Sequence, residues 1–173
     1  MAKPYKQNLF CYLEGLGQLP ENAIFRVERD GDYLVLVHVN LHVLKKDDVV
    51  QRYQIRASDI LDFGIIKQSE LKKQSVIGRG MVGGFLFGPV GAMLGGMSAT
   101  AKQKIKSVFA VSYLPSQGNE PKTLMFDADQ AGWGANNALW ASKTKAALSK
   151  IPKSSRVLAY LGQTTNADGS ITL

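Results

Sequence analysis

Cysteine, histidine and proline are scarce in this chain of 173 residues, which has one, two and six of them. A lone Cys11 has no intramolecular disulfide partner, and without other cysteines or close histidines a structural metal cluster is excluded. On a strand rising about 3.3 Å per residue, His38 and His42 would stand roughly 13 Å apart, too far to share one metal, so they read as surface or rim residues. Few prolines beside 45% hydrophobic residues rule out collagen-like repeats and wholesale disorder. No apolar run of signal-peptide length follows the basic start Met1-Ala-Lys-Pro-Tyr-Lys, so a cleaved signal is not expected. The expected setting is reducing and cytoplasmic, at the inner face of the cell membrane if lipid is involved.

Catalytic patterns are also missing. The acidic pairs Asp47-Asp48 and Asp59/Asp62 have no evident general-acid partner, and no nucleophile with a base and an orienting acid can be assembled. No enzyme activity, catalytic residue or metal site is expected. Gly78-Arg-Gly-Met-Val-Gly83 matches the dinucleotide pattern G-x-G-x-x-G, but Pro89 interrupts the following segment and no acid stands about 20 residues on. There is no Walker motif, and no cofactor is expected. Nucleic acid is disfavoured as a partner, because the lysines surround an apolar stretch instead of alternating with aromatics.

Glycine and positive charge are abundant, and both are concentrated. Of 17 glycines, 8 fall between Gly78 and Gly96. From Lys67 to Lys106, seven basic residues face one acid, Glu70, which is +6 of the total +7. These cations flank an uncharged run from Gly80 to Ala101. Within it Gly80, Gly84, Gly88, Ala92 and Gly96 recur every four residues, a small-residue stripe of the kind that lets helices approach closely. Glycine in a helix interior costs about 1 kcal/mol relative to alanine, so such a helix needs a partner or lipid.

The remainder reads as short strands followed by a helix. Ala23 to Glu28 and Tyr33 to Leu44 form a hairpin around Asp30-Gly31-Asp32, with Tyr33, Val35, Val37, Val39, Leu41 and Val43 on one apolar face. Leu9 to Leu13 is a strand or a single helical turn. Arg52 to Ala57 and Ile60 to Gln68 continue the meander, Glu70 to Ile77 is a strand or linker, and Ile105 to Leu114 pairs with Lys122 to Phe126 across Ser116-Gln-Gly-Asn119. A helix capped by Asp127 or Asp129 runs to about Lys150, ending before Pro152, with Trp133, Leu139, Trp140, Ala147, Leu148 and Ile151 along its apolar face. Trp133 and Trp140 are expected to pack on the sheet. Arg156 to Leu161 reads as one more strand, and Gln163 to Leu173 as a polar tail.

Antiparallel strands followed by a tryptophan-bearing helix resemble a pleckstrin-homology (PH) barrel. The run Gln54-Ile-Arg-Ala-Ser-Asp-Ile-Leu-Asp-Phe-Gly-Ile-Ile66 is similar to a strand pair of bacterial PH-like and GRAM-like domains. Gly78-Arg-Gly-Met-Val-Gly-Gly-Phe-Leu-Phe-Gly-Pro-Val-Gly-Ala-Met-Leu-Gly-Gly96 resembles the glycine-zipper insertion carried by some small bacterial and phage proteins of this type. The resemblance implies a mainly β fold: a PH-like antiparallel barrel, capped by a C-terminal helix, with an inserted glycine-rich helical hairpin. The expected organisation is an N-terminal segment 1–22, a PH-like domain 23–151 interrupted by the hairpin 78–101, and a tail 152–173.

A single membrane span would place the flanking strands on opposite sides of a bilayer. Pro89 disrupts a helix interior, so two short arms are expected, about Gly78 to Phe87 and Val90 to Thr100. Each arm is roughly 15 Å long, half the hydrocarbon thickness. The expected role is a non-enzymatic binding module that docks to a membrane surface or self-associates through this hairpin, presenting Gly80, Gly84, Phe85, Leu86, Phe87, Gly88, Pro89, Ala92 and Gly96. Lys72, Lys73, Arg79, Lys102, Lys104 and Lys106 would meet anionic headgroups. The expected partners are an anionic membrane or identical subunits, with a homo-oligomer expected. The alternative is a soluble assembly or scaffold protein whose glycine-rich helices bundle between subunits without lipid, or a hairpin that packs on its own barrel.

Overall fold

The computed structural model describes residues 8–20, 22–67, 81–82, 85–86, 105–129 and 134–164. Nine strands and two helices are described: β1 (Leu9–Glu14), β2 (Ile24–Asp30), β3 (Tyr33–Asn40), β4 (Asp48–Arg56), β5 (Ile60–Lys67), β6 (Met81–Val82), β7 (Phe85–Leu86), β8 (Ser107–Tyr113), β9 (Lys122–Asp127), α1 (Gly134–Leu148) and α2 (Ser155–Thr164). Seven strands form one antiparallel sheet in the order β4-β3-β2-β1-β9-β8-β5. Residues 9–14, ahead of the expected domain start at residue 23, thus supply the strand that joins β2 to β9.

The β2–β3 hairpin forms as the turn residues require. Asp30 pairs with Tyr33, and Gly31 adopts φ +54°, in the left-handed region where a Cβ is costly. β4 is an edge strand with a register irregularity opposite His38 and Val39, a feature that blunts an exposed edge. A single 3₁₀ turn, Ala57–Asp59, then leads into β5 at the other edge. Two edges joined by so short a connection require the sheet to coil strongly. Among the described residues no ladder closes the barrel between β4 and β5.

The core follows from the alternation of the strands. Phe10, Phe25, Phe109 and Phe126 are fully buried, with Phe10 stacked on Phe109 at 4.5 Å between ring centroids. Burying each ring contributes about 1.5–3 kcal/mol. That outweighs a partly exposed ion pair such as Lys145–Asp62, 2.7 Å apart, since pairs open to solvent are worth about 0–1 kcal/mol. His38, expected at the surface, is buried instead: its ring stacks on Phe25 at 5.2 Å, so an aromatic neighbour accommodates it within the sheet.

α1 buries Asn137, Ala141, Thr144 and Leu148, a stripe at helical spacing. Trp140 packs edge-on against Phe10 and Phe109 at 5.8 and 5.9 Å, as expected, while Trp133 lies outside the described residues. Leu139 does not share that face. Two residues on from Asn137, it is turned about 200° round the helix and is 54% exposed.

The strand expected at Arg156 to Leu161 is a helix, α2. Ser154 caps it, its Oγ accepting the Val157 N–H at 3.3 Å, and Val157 is fully buried. A short apolar run is ambiguous between strand and helix, and the serine cap decides here. Most of the expected tail, residues 165–173, and the segment Glu70 to Ile77 fall outside the described residues.

Candidate functional site

The glycine-rich stretch is anchored at a defined place in the sheet. β5 and β8 pair from Ile60↔Tyr113 to Lys67↔Ser107, so the last residue before the stretch lies directly opposite the first residue after it. Cα atoms of opposed antiparallel residues are about 4.5–5.5 Å apart. Residues 68–106 therefore leave and re-enter the sheet at one point, which excludes an odd number of bilayer crossings. Lys67 and Lys106 are exposed at this stem, and Ile105 packs against the core.

The first arm of the stretch differs from expectation. Met81 pairs with Leu86 and Val82 with Phe85 in a two-residue antiparallel ladder, where a helix from Gly78 to Phe87 was anticipated. The residues between, Gly83 and Gly84, have the composition that two-residue hairpin connections favour, and glycine weakens the competing helix. Apolar pairs flanking Gly-Gly are the signal that sequence reasoning passed over. β7 lies beside the edge strand β5, with Cα atoms within 8 Å.

For Phe85 and Leu86 only the backbone is described. Gly80, Gly84, Phe87, Gly88, Pro89, Ala92 and Gly96, and the second expected arm, lie outside the described residues, as do Lys72, Lys73, Arg79, Lys102 and Lys104. Lys106, the remaining cation of that set, is exposed at the stem.

The β3–β4 loop has a different character from the one its sequence suggests. β3 ends at Asn40, so Val43 leaves the strand face assigned to it and, with Leu44, stands in the loop. His42 organises the loop: its backbone N–H donates to Asp47 Oδ1 at 3.1 Å, and its Nε2 lies 2.7 Å from Asp48 Oδ2.

A recess of about 680 Å³ lies where β4, the 3₁₀ turn, the end of β8 and the start of α2 meet, lined in part by Tyr33, Arg56, Tyr113 and Arg156. The Arg156 guanidinium donates to the carbonyls of Pro115, at 2.9 Å, and Gly118, so it pins the β8–β9 loop. Burial raises the Tyr113 phenol above its ordinary value. Near the start of β5, Lys153 donates to Ile60 O at 2.6 Å; burial lowers its ammonium pKa, Asp62 opposes that shift and Lys145 adds to it. Among the described residues no group of histidine, cysteine and carboxylate side chains could hold a metal, and no helix is long and apolar enough to cross a membrane.

A mainly antiparallel seven-stranded sheet with C-terminal helices, and a glycine-rich stretch between two paired strands, defines a PH-like domain. The family described as glycine zipper containing PH domain matches residues 20–113, more than half of the chain, and the chain belongs to that family. PH-like domains are generally non-catalytic binding modules. No curated protein and no solved structure matches the chain.

Proposed function

We propose that this protein is a non-enzymatic binding module whose glycine-rich stretch, residues 68–106, docks it to an anionic membrane surface. The observation that carries the reading is the pairing of Lys67 with Ser107. A stretch with an uncharged, largely apolar centre that returns to its starting point is suited to a peripheral or re-entrant contact, with the sheet kept on one side of the bilayer. The basic residues on either side of its uncharged run, residues 80–101, add attraction to anionic headgroups, about 1 kcal/mol for each one near the surface.

A second reading is favoured by the spacing of Gly88, Ala92 and Gly96, which follow the β6–β7 ladder. Small residues every four positions allow close backbone approach between copies, which would make the stretch a self-association element in a homo-oligomer.

Flotation with anionic liposomes and size measurement with and without detergent separate the two. A monomer that partitions only with lipid supports docking, and an oligomer indifferent to lipid supports assembly. Failure to float at every salt concentration counts against docking. Gly84→Leu with Gly88→Leu should weaken either mode by blocking close approach.

A further inference from the structure

The recess where α2 meets the sheet has walls that the backbone fixes at several points. Ser154 N–H donates to Ser58 O at 2.8 Å and Leu114 N–H to Asp59 O at 2.9 Å, which clip the start of α2 and the end of β8 to the 3₁₀ turn. Ala57 N–H donates to Asp32 O at 2.8 Å, which holds that turn against the β2–β3 hairpin. Arg156 is held in place by the carbonyls of Pro115 and Gly118. The space so framed, about 680 Å³, falls in the range of small-molecule sites.

Its lining offers both kinds of contact that an amphipathic ligand needs. Leu114 and Pro115 supply apolar surface, and the half-buried Tyr33 and Tyr113 supply rings and hydroxyl donors. Arg56 lies opposite Tyr33 in the β3–β4 ladder and is exposed, so its fork of donors is free to turn to a ligand. Neither Arg56 nor Arg156 has an acid in ion-pair range among the described residues. Asp59 is the one acid of the lining, so two guanidinium groups less one carboxylate leave a net charge of +1. That balance matches a monoanion, whereas a dianion would be opposed by the Asp59 carboxylate.

We propose that this recess binds a soluble carboxylate joined to an apolar body, with Arg56 gripping the carboxylate and Leu114 and the tyrosine rings holding the body. Ile60↔Tyr113, beside the recess, and Lys67↔Ser107, at the stem of the glycine-rich stretch, are the two ends of the β5–β8 ladder. At about 3.3 Å per residue they stand roughly 20 Å apart. A chain docked through that stretch has the recess at the far end of the ladder, so the ligand is drawn from solution and not from lipid. That choice of source rests on the docking reading; the carboxylate site itself does not.

The test titrates the full chain, without lipid, with phenylacetate, its neutral amide phenylacetamide and phenyl phosphate, followed through backbone amide signals by nuclear magnetic resonance. Phenylacetate should bind with a Kd of about 1 mM, the order a ligand of this size reaches, and shift signals of recess residues such as Arg56, Tyr113 and Ser154. Phenylacetamide should bind at least about tenfold more weakly, and Arg56→Ala, with its spectrum otherwise native, should lose phenylacetate affinity at least about tenfold. Phenyl phosphate should bind more weakly than phenylacetate and gain affinity in Asp59→Asn.

No shifts with tens of millimolar phenylacetate, shifts confined to other residues, or affinity unchanged in the amide or in Arg56→Ala would overturn the site. Tighter binding of phenyl phosphate than of phenylacetate would overturn the carboxylate class. Displacement of bound phenylacetate by phosphatidylcholine–phosphatidylglycerol vesicles would assign the recess to lipid headgroups and overturn the soluble source. A chain that binds phenylacetate but does not float loses the docking reading and keeps this site.

Discussion

Lys67 closes β5 directly opposite Ser107, the first residue of β8, so the glycine-rich stretch is an excursion from one cross-strand pair. Everything between the two residues is topologically a hairpin connection, however long. The entropy of closing such a loop rises only slowly with its length, which is how the sheet tolerates the insertion.

Replacing residues 68–106 by Asn-Gly, which suits a two-residue hairpin turn between opposed residues, should leave a folded PH-like sheet. Far-ultraviolet circular dichroism and a single cooperative urea transition check this. Loss of the transition would mean that the stretch is needed to complete the sheet.

Asn137 ties α1 to both strands at one end of the β1–β9 ladder, its Nδ2 donating to Leu9 O at 2.6 Å and Ala128 O at 2.9 Å. Asn137→Ala leaves two carbonyls without a donor and should lower stability by about 1–3 kcal/mol in urea unfolding. Asn137→Asp, which aims a carboxylate at those carbonyls, should cost more near neutral pH than at acid pH.

Gly15 and Gly17 both have positive φ, +113° and +88°, but differ in surroundings. A Cβ at Gly15 would come within 2.4 Å of the Thr123 carbonyl oxygen, whereas nothing lies within 4 Å of one at Gly17. Gly15→Ala should therefore cost about 1–3 kcal/mol more than Gly17→Ala, read as the difference in urea midpoints.

Burial, aided by the nearby Asp127 carboxylate, raises the Cys11 thiol from its ordinary value of 9.0 to about 11. The folded state thus holds this proton where the unfolded chain releases it. The thiol's contribution is fully present below about pH 9 and is lost as pH rises toward about 11. Lys153, whose ammonium is lowered by burial, acts in the opposite sense below its ordinary 10.5, so the informative quantity is the comparison with Cys11→Ala. The stability advantage of the native chain over that variant should be smaller at about pH 10.5 than at about pH 8.

The elements legible in the sequence are those whose determinants are local. Asp30-Gly31-Asp32 between alternating strands specified the β2–β3 hairpin, Ser116 to Asn119 the β8–β9 turn, and Trp140 the packing face of α1. Determinants distant in sequence left no such pattern. Asn137 meets Leu9 only because β1 lies beside β9, and His38 is buried only because Phe25 lies beside it. Short apolar runs were ambiguous in both directions: Arg156 to Leu161 became a helix, and Met81 to Leu86 a small ladder. Charge clustering and glycine spacing marked the candidate stretch, whereas the Val43-Leu44 tip was hidden by reading β3 four residues too long.

The most direct test of the central claim is flotation of two chains, the native one and the one with 68–106 replaced by Asn-Gly, with phosphatidylcholine–phosphatidylglycerol vesicles. The account predicts that the native chain rises with the vesicles and that the shortened, still folded chain is at least about tenfold weaker, the equivalent of about 1.4 kcal/mol. Equal flotation of the two would contradict it.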